Sequence, residues 1–312
     1  MYTNQTVIKY FIIGGFSDAP EVEIIVFCLV LLIYLITLCG NMTIFLLICL
    51  DPHLHTPMYW FLANLSIVDM SSSINTLYKI LVIFITRDKT ISYLSCMTQT
   101  YILGSSIGHE LWILTAMSYD RYVAICNPLR YHMNMNIKTC ALLTSACWSV
   151  GFLQTIPPVS ILCSFSCYSS NEINHFFCDI TALMKISCDD TSFLEMLFFI
   201  EGIFLLNLTP FLLTLIPYIF IVVAILKIRT SQGRRKAFYT CSSHITVVIL
   251  LYTTLVSQYL TPNLSRTLDS KKYLALFNTA AVPMLNPMIY SLKNRDVKLA
   301  LRRSLDKFKP MT

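Results

Sequence analysis

The chain has 312 residues, of which 55% are apolar and only 13% charged, and its mean hydropathy is +0.64. This balance excludes an ordinary soluble domain and indicates a membrane protein that crosses the bilayer several times. The net charge of +6 does not indicate a nucleic-acid partner, because the basic residues fall in short runs between apolar segments.

Seven apolar segments are each long enough to cross a bilayer as a helix, which takes roughly 20 residues. The sequence therefore predicts an all-α membrane protein with a single domain: a seven-helix bundle over residues 24–292, an outer N-terminus over 1–23 and an inner tail over 293–312. The predicted spans run from Ile24 to Leu50, Pro57 to Tyr78, Ile91 to Cys126, Thr139 to Leu162, Glu195 to Leu226, Ala237 to Leu260 and Lys272 to Leu292.

The distribution of basic residues predicts the orientation. With the C-terminus in the cytoplasm, the inner side holds 15 of the 23 Lys and Arg residues and the outer side holds 8, as the positive-inside rule requires. The stretch before Pro20 lacks the features of a cleaved signal peptide, so we expect the first span to target the chain. The N-terminus then lies outside, where Asn4 in Asn4-Gln5-Thr6 is a predicted glycosylation site.

Asp69 in the second predicted span and Glu110 in the third are acids deep inside the bundle, and Glu201 lies near the start of the fifth. Nearby carboxylates that face one interior cannot both stay ionised without help, so they would share a proton or a cation. The alternative is that each acid is protonated and makes one hydrogen bond to a neighbouring helix. Asn41 in the first span should likewise face other helices.

The apolar run that begins at Leu111 ends abruptly at Asp120, Arg121 and Tyr122. A guanidinium is unfavourable in hydrocarbon. We therefore expect Arg121 at the membrane boundary, held by the adjacent carboxylate and able to contact a partner in the aqueous phase.

Prolines interrupt two later spans. Pro210 and Pro217 predict kinks in the fifth span, and Pro283 with Asn286-Pro287 predicts a hinge, or a purely structural kink, in the seventh. The loop from Lys227 to Lys236 is short and basic, which suits a positive-inside loop with additional contact to acidic lipid or a partner. The tail from Lys293 to Lys309 predicts an amphipathic helix on the inner membrane face.

Four motifs in register carry a family resemblance. They are LHTPMY at 54–59, MSYDRYVAIC at 117–126, KAFYTCSSH at 236–244 and PMLNPMIYSLKN at 283–294. Together they resemble the olfactory receptors, which belong to the rhodopsin-like (class A) G-protein-coupled receptors. The resemblance covers essentially the whole chain, and Pro217 and Tyr239 depart from the family pattern.

Four of the twelve cysteines, Cys96, Cys167, Cys178 and Cys188, fall on the predicted outer side, where disulfides form. Spacing leaves three pairings open. The resemblance implies Cys96 with Cys178, which leaves Cys167 with Cys188 and holds the second outer loop over the bundle.

The predicted ligand contacts come from the outer halves of spans three, five, six and seven. They combine apolar walls with a few hydroxyls and one amide, which suits a small, volatile, weakly polar molecule. Helix packing is the alternative role for any one of them. Leu103 stands where amine receptors carry an aspartate, which argues against an amine ligand, with Glu201 and His109 as the exceptions to watch. The set is Tyr101, Gly104, Ser105, Gly108, Ile203, Leu206, Asn207, Tyr252, Leu255, Val256, Tyr259 and Phe277.

The resemblance also implies the coupling residues and an ion site. A cytosolic partner would bind between the inner ends of helices three, five and six, and Asp69 with Glu110 would hold a sodium ion. No other cofactor is expected. The coupling set is Asp120, Arg121, Tyr122, Tyr218, Asn286, Pro287 and Tyr290.

These features predict an odorant receptor in the plasma membrane of olfactory cilia that activates a stimulatory, olfactory-type heterotrimeric G protein and raises cyclic AMP. The alternatives are a non-olfactory chemosensory receptor, or a transporter or channel, which would be expected to show inverted repeats. An enzyme has no support, because the sequence lacks a nucleophile with a base, a metal-ligand cluster and a phosphate loop.

Overall fold

The computed structural model describes residues 9–14, 20–257 and 274–307. Within them most of the chain is helical, and long helices follow the predicted spans. We name them spans 1 to 7: Pro20–Leu50, Pro57–Thr86, Tyr93–Cys126, Ile137–Ser164, Ser192–Lys227, Ser231–Leu255 and, for the described part of the last, residues 274–293.

Five of these helices, spans 1, 2, 4, 5 and 6, are long and apolar enough to cross a membrane. Span 3 has the length, 34 residues, but it carries buried polar groups such as His109, Glu110 and Asp120. Such a helix can lie in a bilayer because its polar groups face the other helices rather than lipid. Tyr259 and the outer part of span 7 before residue 274 lie outside the described residues, as does Asn4.

Local signals at the helix ends explain where the spans differ from the predicted bounds. Span 2 continues past Tyr78 until Arg87, whose left-handed backbone (φ 59°) ends it. The hydroxyl oxygen of Thr230 accepts a hydrogen bond from the Gly233 backbone and starts span 6 at Ser231. The basic stretch up to Lys236 is therefore mostly helical, and only residues 228–230 connect spans 5 and 6.

The helices confirm the predicted all-α class, and a small three-stranded sheet at one end of the bundle adds to them. Strand β1 (Tyr10–Ile13) pairs antiparallel with β2 (Thr90–Ser92) and parallel with β3 (Glu172–Ile173). Such short strands leave little periodicity in a sequence, and this sheet depends on tertiary packing: Phe11 is fully buried and Ile13 nearly so. The sheet ties the N-terminal segment to two loops.

Both predicted disulfides are present in the structure. Cys96 pairs with Cys178 and Cys167 with Cys188, with Cα–Cα distances of 5.4 and 5.2 Å. The Cys178 backbone also donates to the Gln99 side chain at 2.9 Å and accepts from the Thr100 hydroxyl at 3.0 Å. The second loop is thus fixed to the start of span 3. We call this end of the bundle the disulfide end and the opposite end the Arg121 end.

Small residues let spans 3 and 4 approach closely. A Cβ added at Gly151 would lie 2.1 Å from the His109 ring, and one added at Gly108 would lie 3.2 Å from the Gly151 Cα. The His109 ring is itself held between Trp148 and Phe152, at centroid distances of 4.4 and 4.5 Å. Gly108 therefore serves helix packing.

This close contact predicts that alanine destabilises the receptor at Gly151 but not at Gly202. Gly151→Ala should lower the unfolding free energy by about 1–3 kcal/mol, because the trapped His109 ring cannot move aside. Gly202→Ala is the control, since an added Cβ there meets nothing within 4 Å. Thermal unfolding of the purified receptor measures both, and equal losses would contradict the packing role.

A second prediction concerns the loop anchor. Cys178→Ser should reduce the amount of receptor at the cell surface to near background, because the second loop loses its main fixed point. Cys28→Ser should leave that amount close to wild type, since Cys28 is a free, exposed thiol in span 1. Surface immunostaining compares the two variants, and normal surface levels for Cys178→Ser would refute the anchoring role.

Candidate ligand cavity and Arg121 cleft

A cavity of about 510 Å³ lies toward the disulfide end, between spans 3, 4 and 5 and the second loop. This volume is typical of small-molecule sites. Its wall is mostly apolar, with Leu103 and Ile107 of span 3, Val159 of span 4 and Phe198 and Leu205 of span 5.

Four of the twelve predicted ligand residues line this cavity: Gly104, Leu206, Asn207 and Leu255. The structure does not bring the other described ones to its wall. Three of them pack within the bundle: Tyr101 stacks on Phe152, Gly108 packs on span 4 and Tyr252 contacts Phe211. Ser105 is buried and Ile203 half-buried, and Val256 and Phe277 are exposed.

The cavity is displaced toward span 4 and the second loop because a short helix, Ile180–Ile186, packs over it. Asp179 caps this helix, accepting from the Thr181 backbone at 2.9 Å. The sequence interpretation missed its contribution and that of Thr155 and Pro158 in span 4. An Asp before an apolar run is a helix-cap signal, so the sequence could have predicted this short helix. Its place over the cavity could not be predicted, because the position of the loop depends on the Cys178 disulfide.

At the Arg121 end, Asp120 is fully buried and holds the guanidinium beside it. Arg121 donates to one carboxylate oxygen of Asp120 through Nε at 3.0 Å and a terminal nitrogen at 2.5 Å. The Tyr131 hydroxyl donates to the other oxygen at 2.8 Å. Burial and the Asp120 charge raise the pKa of Tyr131, so it remains a donor. Asp120 thus restrains Arg121.

Tyr218 and His244 join spans 5 and 6 beside this pair. The Tyr218 hydroxyl lies 2.6 Å from His244 Nδ1, and His244 Nε2 lies 3.0 Å from the Leu114 carbonyl of span 3. Tyr122 packs against Tyr218 and its neighbours in span 5. These contacts close the cleft between spans 3, 5 and 6.

The acids in spans 2 and 3 meet span 7 in the middle of the bundle. The Asn286 amide donates to both oxygens of Asp69, at 3.2 and 3.0 Å, and the Glu110 carboxyl lies beside that of Asp69. Both acids are buried, and Tyr290 is buried nearby in span 7. Two neighbouring buried carboxyls cannot both stay ionised unless a proton or a cation lies between them.

Spans 5 and 7 each contain a wider π-helical turn before a proline. These turns are Gly202–Leu208, ahead of Pro210, and Phe277–Ala281, ahead of Pro283. Such turns often mark functional positions. Span 7 is held at this point by Asn41, whose amide donates to the Pro283 carbonyl at 3.0 Å, and Pro287 lies against Gly40.

Neither departure from the family pattern disrupts its helix. Pro217 lies inside the continuous segment Thr209–Lys227. Tyr239 is exposed in span 6, and the Arg235 guanidinium lies 5.9 Å from its ring centroid.

The predicted amphipathic tail helix is present at Arg295–Lys307 and packs Val297 and Ala300 against the bundle. Arg303 donates to Asp51 at 2.6 and 2.9 Å. Burial acts to raise the pKa of Asp51, but the hydrogen bonds from Arg303 and His53 outweigh it and lower the pKa to about 2. The stability from this contact is present above the ordinary pKa of an aspartate and is lost only as the pH falls toward 2.

Comparisons with known proteins agree with this architecture. A family model described as "Olfactory receptor" matches residues 27–307. Olfactory receptor 2A7 of Mus musculus is 44% identical over 305 residues, which cover 98% of this chain and 98% of that protein. Olfactory receptor 1N1 of Homo sapiens is 46% identical over 300 residues, with 96% of each chain covered.

The fold is also that of a known seven-helix receptor. The crystal structure of squid rhodopsin superposes with a TM-score of 0.68 at 18% identity, covering 93% of this chain and 87% of that one. The family match over nearly the whole chain, together with this fold, shows a multi-pass membrane receptor rather than an enzyme. The chain belongs to the olfactory receptor family of G-protein-coupled receptors.

Proposed function

We propose that this receptor binds a small, mostly apolar volatile molecule in the 510 Å³ cavity and activates a stimulatory, olfactory-type G protein, raising cyclic AMP. The observation that carries the proposal is the pairing of two sites in one bundle: a ligand-sized cavity at the disulfide end and a restrained arginine at the other. In this proposal the disulfide end and Asn4 face outside, and the tail helix lies on the inner leaflet of the ciliary plasma membrane.

Span 6 supplies the physical connection between the two sites. Leu255 lines the cavity, Tyr252 packs on Phe211 of span 5 one turn further on, and His244 holds spans 3 and 5 about two turns beyond that. A ligand shifts such an equilibrium only if it binds one arrangement of span 6 more tightly than the other. Outward movement of span 6 would break the two His244 contacts and open the cleft.

In the open state Arg121 would line the docking cleft with Tyr218. The G protein must then supply acceptors that replace the Asp120 carboxylate, because an arginine left without a partner at the membrane boundary is unfavourable. The short connection at residues 228–230 leaves this cleft as the main docking surface.

We further propose that Asp69 and Glu110 hold a sodium ion in the resting state. Their neighbourhood fits a hard cation, since the Asn286 side-chain oxygen and the Ser73 hydroxyl are buried with no partner among the described residues. Bound sodium would supply the positive charge that two adjacent carboxylates need. A shared proton is the competing arrangement.

Opposite substitutions test the coupling role of the Asp120–Arg121 pair. Arg121→Ala should remove ligand-induced cyclic AMP while the receptor still reaches the cell surface. Asp120→Asn should instead raise basal cyclic AMP several-fold, because the guanidinium loses its charged partner. A cyclic AMP assay against a broad odorant panel, corrected for surface amount, measures both, and a full response from Arg121→Ala would overturn the scheme.

Sodium dependence of stability tests the ion site. Replacing choline chloride by sodium chloride at constant ionic strength should raise the thermal unfolding midpoint of the wild type, because only the folded state binds the ion. Asp69→Asn should lose this increase, whereas Glu195→Gln, which changes an exposed acid at the disulfide end, should retain it. A wild type that is indifferent to sodium would favour the shared proton.

A further inference from the structure

Glu201 is a carboxylate in the cavity wall that has no partner among the described residues. It lies in span 5 directly before the π-helical turn, is half-buried, and makes neither a hydrogen bond nor an ion pair with any described residue. A carboxylate removed from water without a partner is strongly unfavourable. Within the described part of the structure, only solvent or a bound ligand can supply its hydrogen-bond partner, and the cavity beside it is where a ligand would lie.

The other charged residues of the cavity differ in this respect. Asp179 accepts from the Thr181 and Ala182 backbones at 2.9 and 3.3 Å, and Glu195 accepts from the Thr191 hydroxyl at 2.7 Å. Lys185 is exposed. Glu201 is thus the acid in the described lining whose acceptor atoms are unused.

The surrounding wall shows which way the carboxylate faces. Phe198, Glu201 and Leu205 recur at helical spacing along span 5, and all three line the cavity. Gly202 beside Glu201 also lines it, and a Cβ added there would meet only open space. The missing side chain leaves room next to the carboxylate, while Phe198 and Leu205 offer apolar surface on either side.

We propose that the receptor's preferred ligands are small apolar molecules with a protonated amine, and that Glu201 binds the ammonium group. A cation both neutralises the carboxylate and donates the hydrogen bonds that it lacks, and such charge-assisted bonds are the strong ones. The hydrocarbon body of the ligand would lie along Leu103, Ile107 and Leu205. This assignment rests on the proposed function. It places the anion that binds the amine in span 5, because the span 3 position at which amine receptors carry an aspartate is Leu103 in this chain.

Ligand binding to the purified receptor tests this without involving the G protein. The probes are three matched series of straight-chain primary amines, alcohols and carboxylic acids, and the readout is the ligand-induced rise in the thermal unfolding midpoint. Amines should raise it most for the wild type. Glu201→Gln should weaken amine affinity by about tenfold or more and leave the alcohols nearly unchanged.

Two further variants separate recognition from structure. Glu201→Asp should retain a preference for amines, and Glu172→Gln should behave as the wild type, because Glu172 is an exposed acid outside the cavity wall. The proposal is overturned if amines bind Glu201→Gln as well as the wild type, or if alcohols or acids bind better than amines. Failure of all three series to stabilise the wild type would also overturn it.

Cyclic AMP responses to the same series distinguish this inference from the proposed function. Amines that bind the purified receptor but never raise cyclic AMP in cells would support the ligand class and contradict the signalling role. Neutral odorants that raise cyclic AMP while amines stay silent would support the signalling role and overturn the assignment of Glu201.

Discussion

The buried ion pair of Asp120 and Arg121 is the interaction on which the Arg121 end depends. Asp120 has no solvent exposure, and only 11% of the Arg121 side chain is exposed. A carboxylate in such a place is tolerated only when its oxygens are paired, and removing one partner typically costs about 3–5 kcal/mol. Arg121 and Tyr131 supply those partners, so the carboxylate is fully satisfied only while the guanidinium stays turned towards it.

This requirement makes the bundle suited to two states rather than to gradual deformation. The closed state has spans 3, 5 and 6 joined by directional bonds through His244 and Tyr218, each worth about 1 kcal/mol net. Differential ligand affinity of a few kcal/mol is therefore comparable with what holds span 6 in place. The cavity at the disulfide end can influence the cleft because Leu255, Tyr252 and His244 belong to the same helix.

The sequence predicted those parts whose cause is local. Apolar runs predicted the spans, and Asp120 is adjacent to Arg121 in the chain, so their pairing needed no tertiary information. The sequence did not predict that Tyr131 would be the second partner of Asp120, because the position of Tyr131 depends on how the chain turns after Pro128. Sheet β1–β3 was missed for the same reason, since its strands come from three distant segments.

The ligand site was predicted less well than the coupling site. The sequence interpretation assigned Tyr252 and Phe277 to the wall on spans 6 and 7, whereas the structure builds the described wall mainly from spans 3, 4 and 5 and the helix Ile180–Ile186. That helix is held in place by the Cys96–Cys178 disulfide, whose effect on shape no periodicity reveals. From the sequence, Glu201 was only an exception to the argument against an amine ligand, because a lone acid in a sequence does not show whether it has a partner.

The distance between the Arg121 ends of spans 3 and 6 tests the central claim most directly. Spin labels at Met133, in the short helix Tyr131–Asn134 that follows span 3, and at Phe238 in span 6, both exposed, would report it by pulsed electron resonance in membranes. The account predicts one short distance without ligand and a second, longer distance when an activating ligand and the G protein are added. A rise in cyclic AMP in cells with the distance unchanged under those conditions would contradict it.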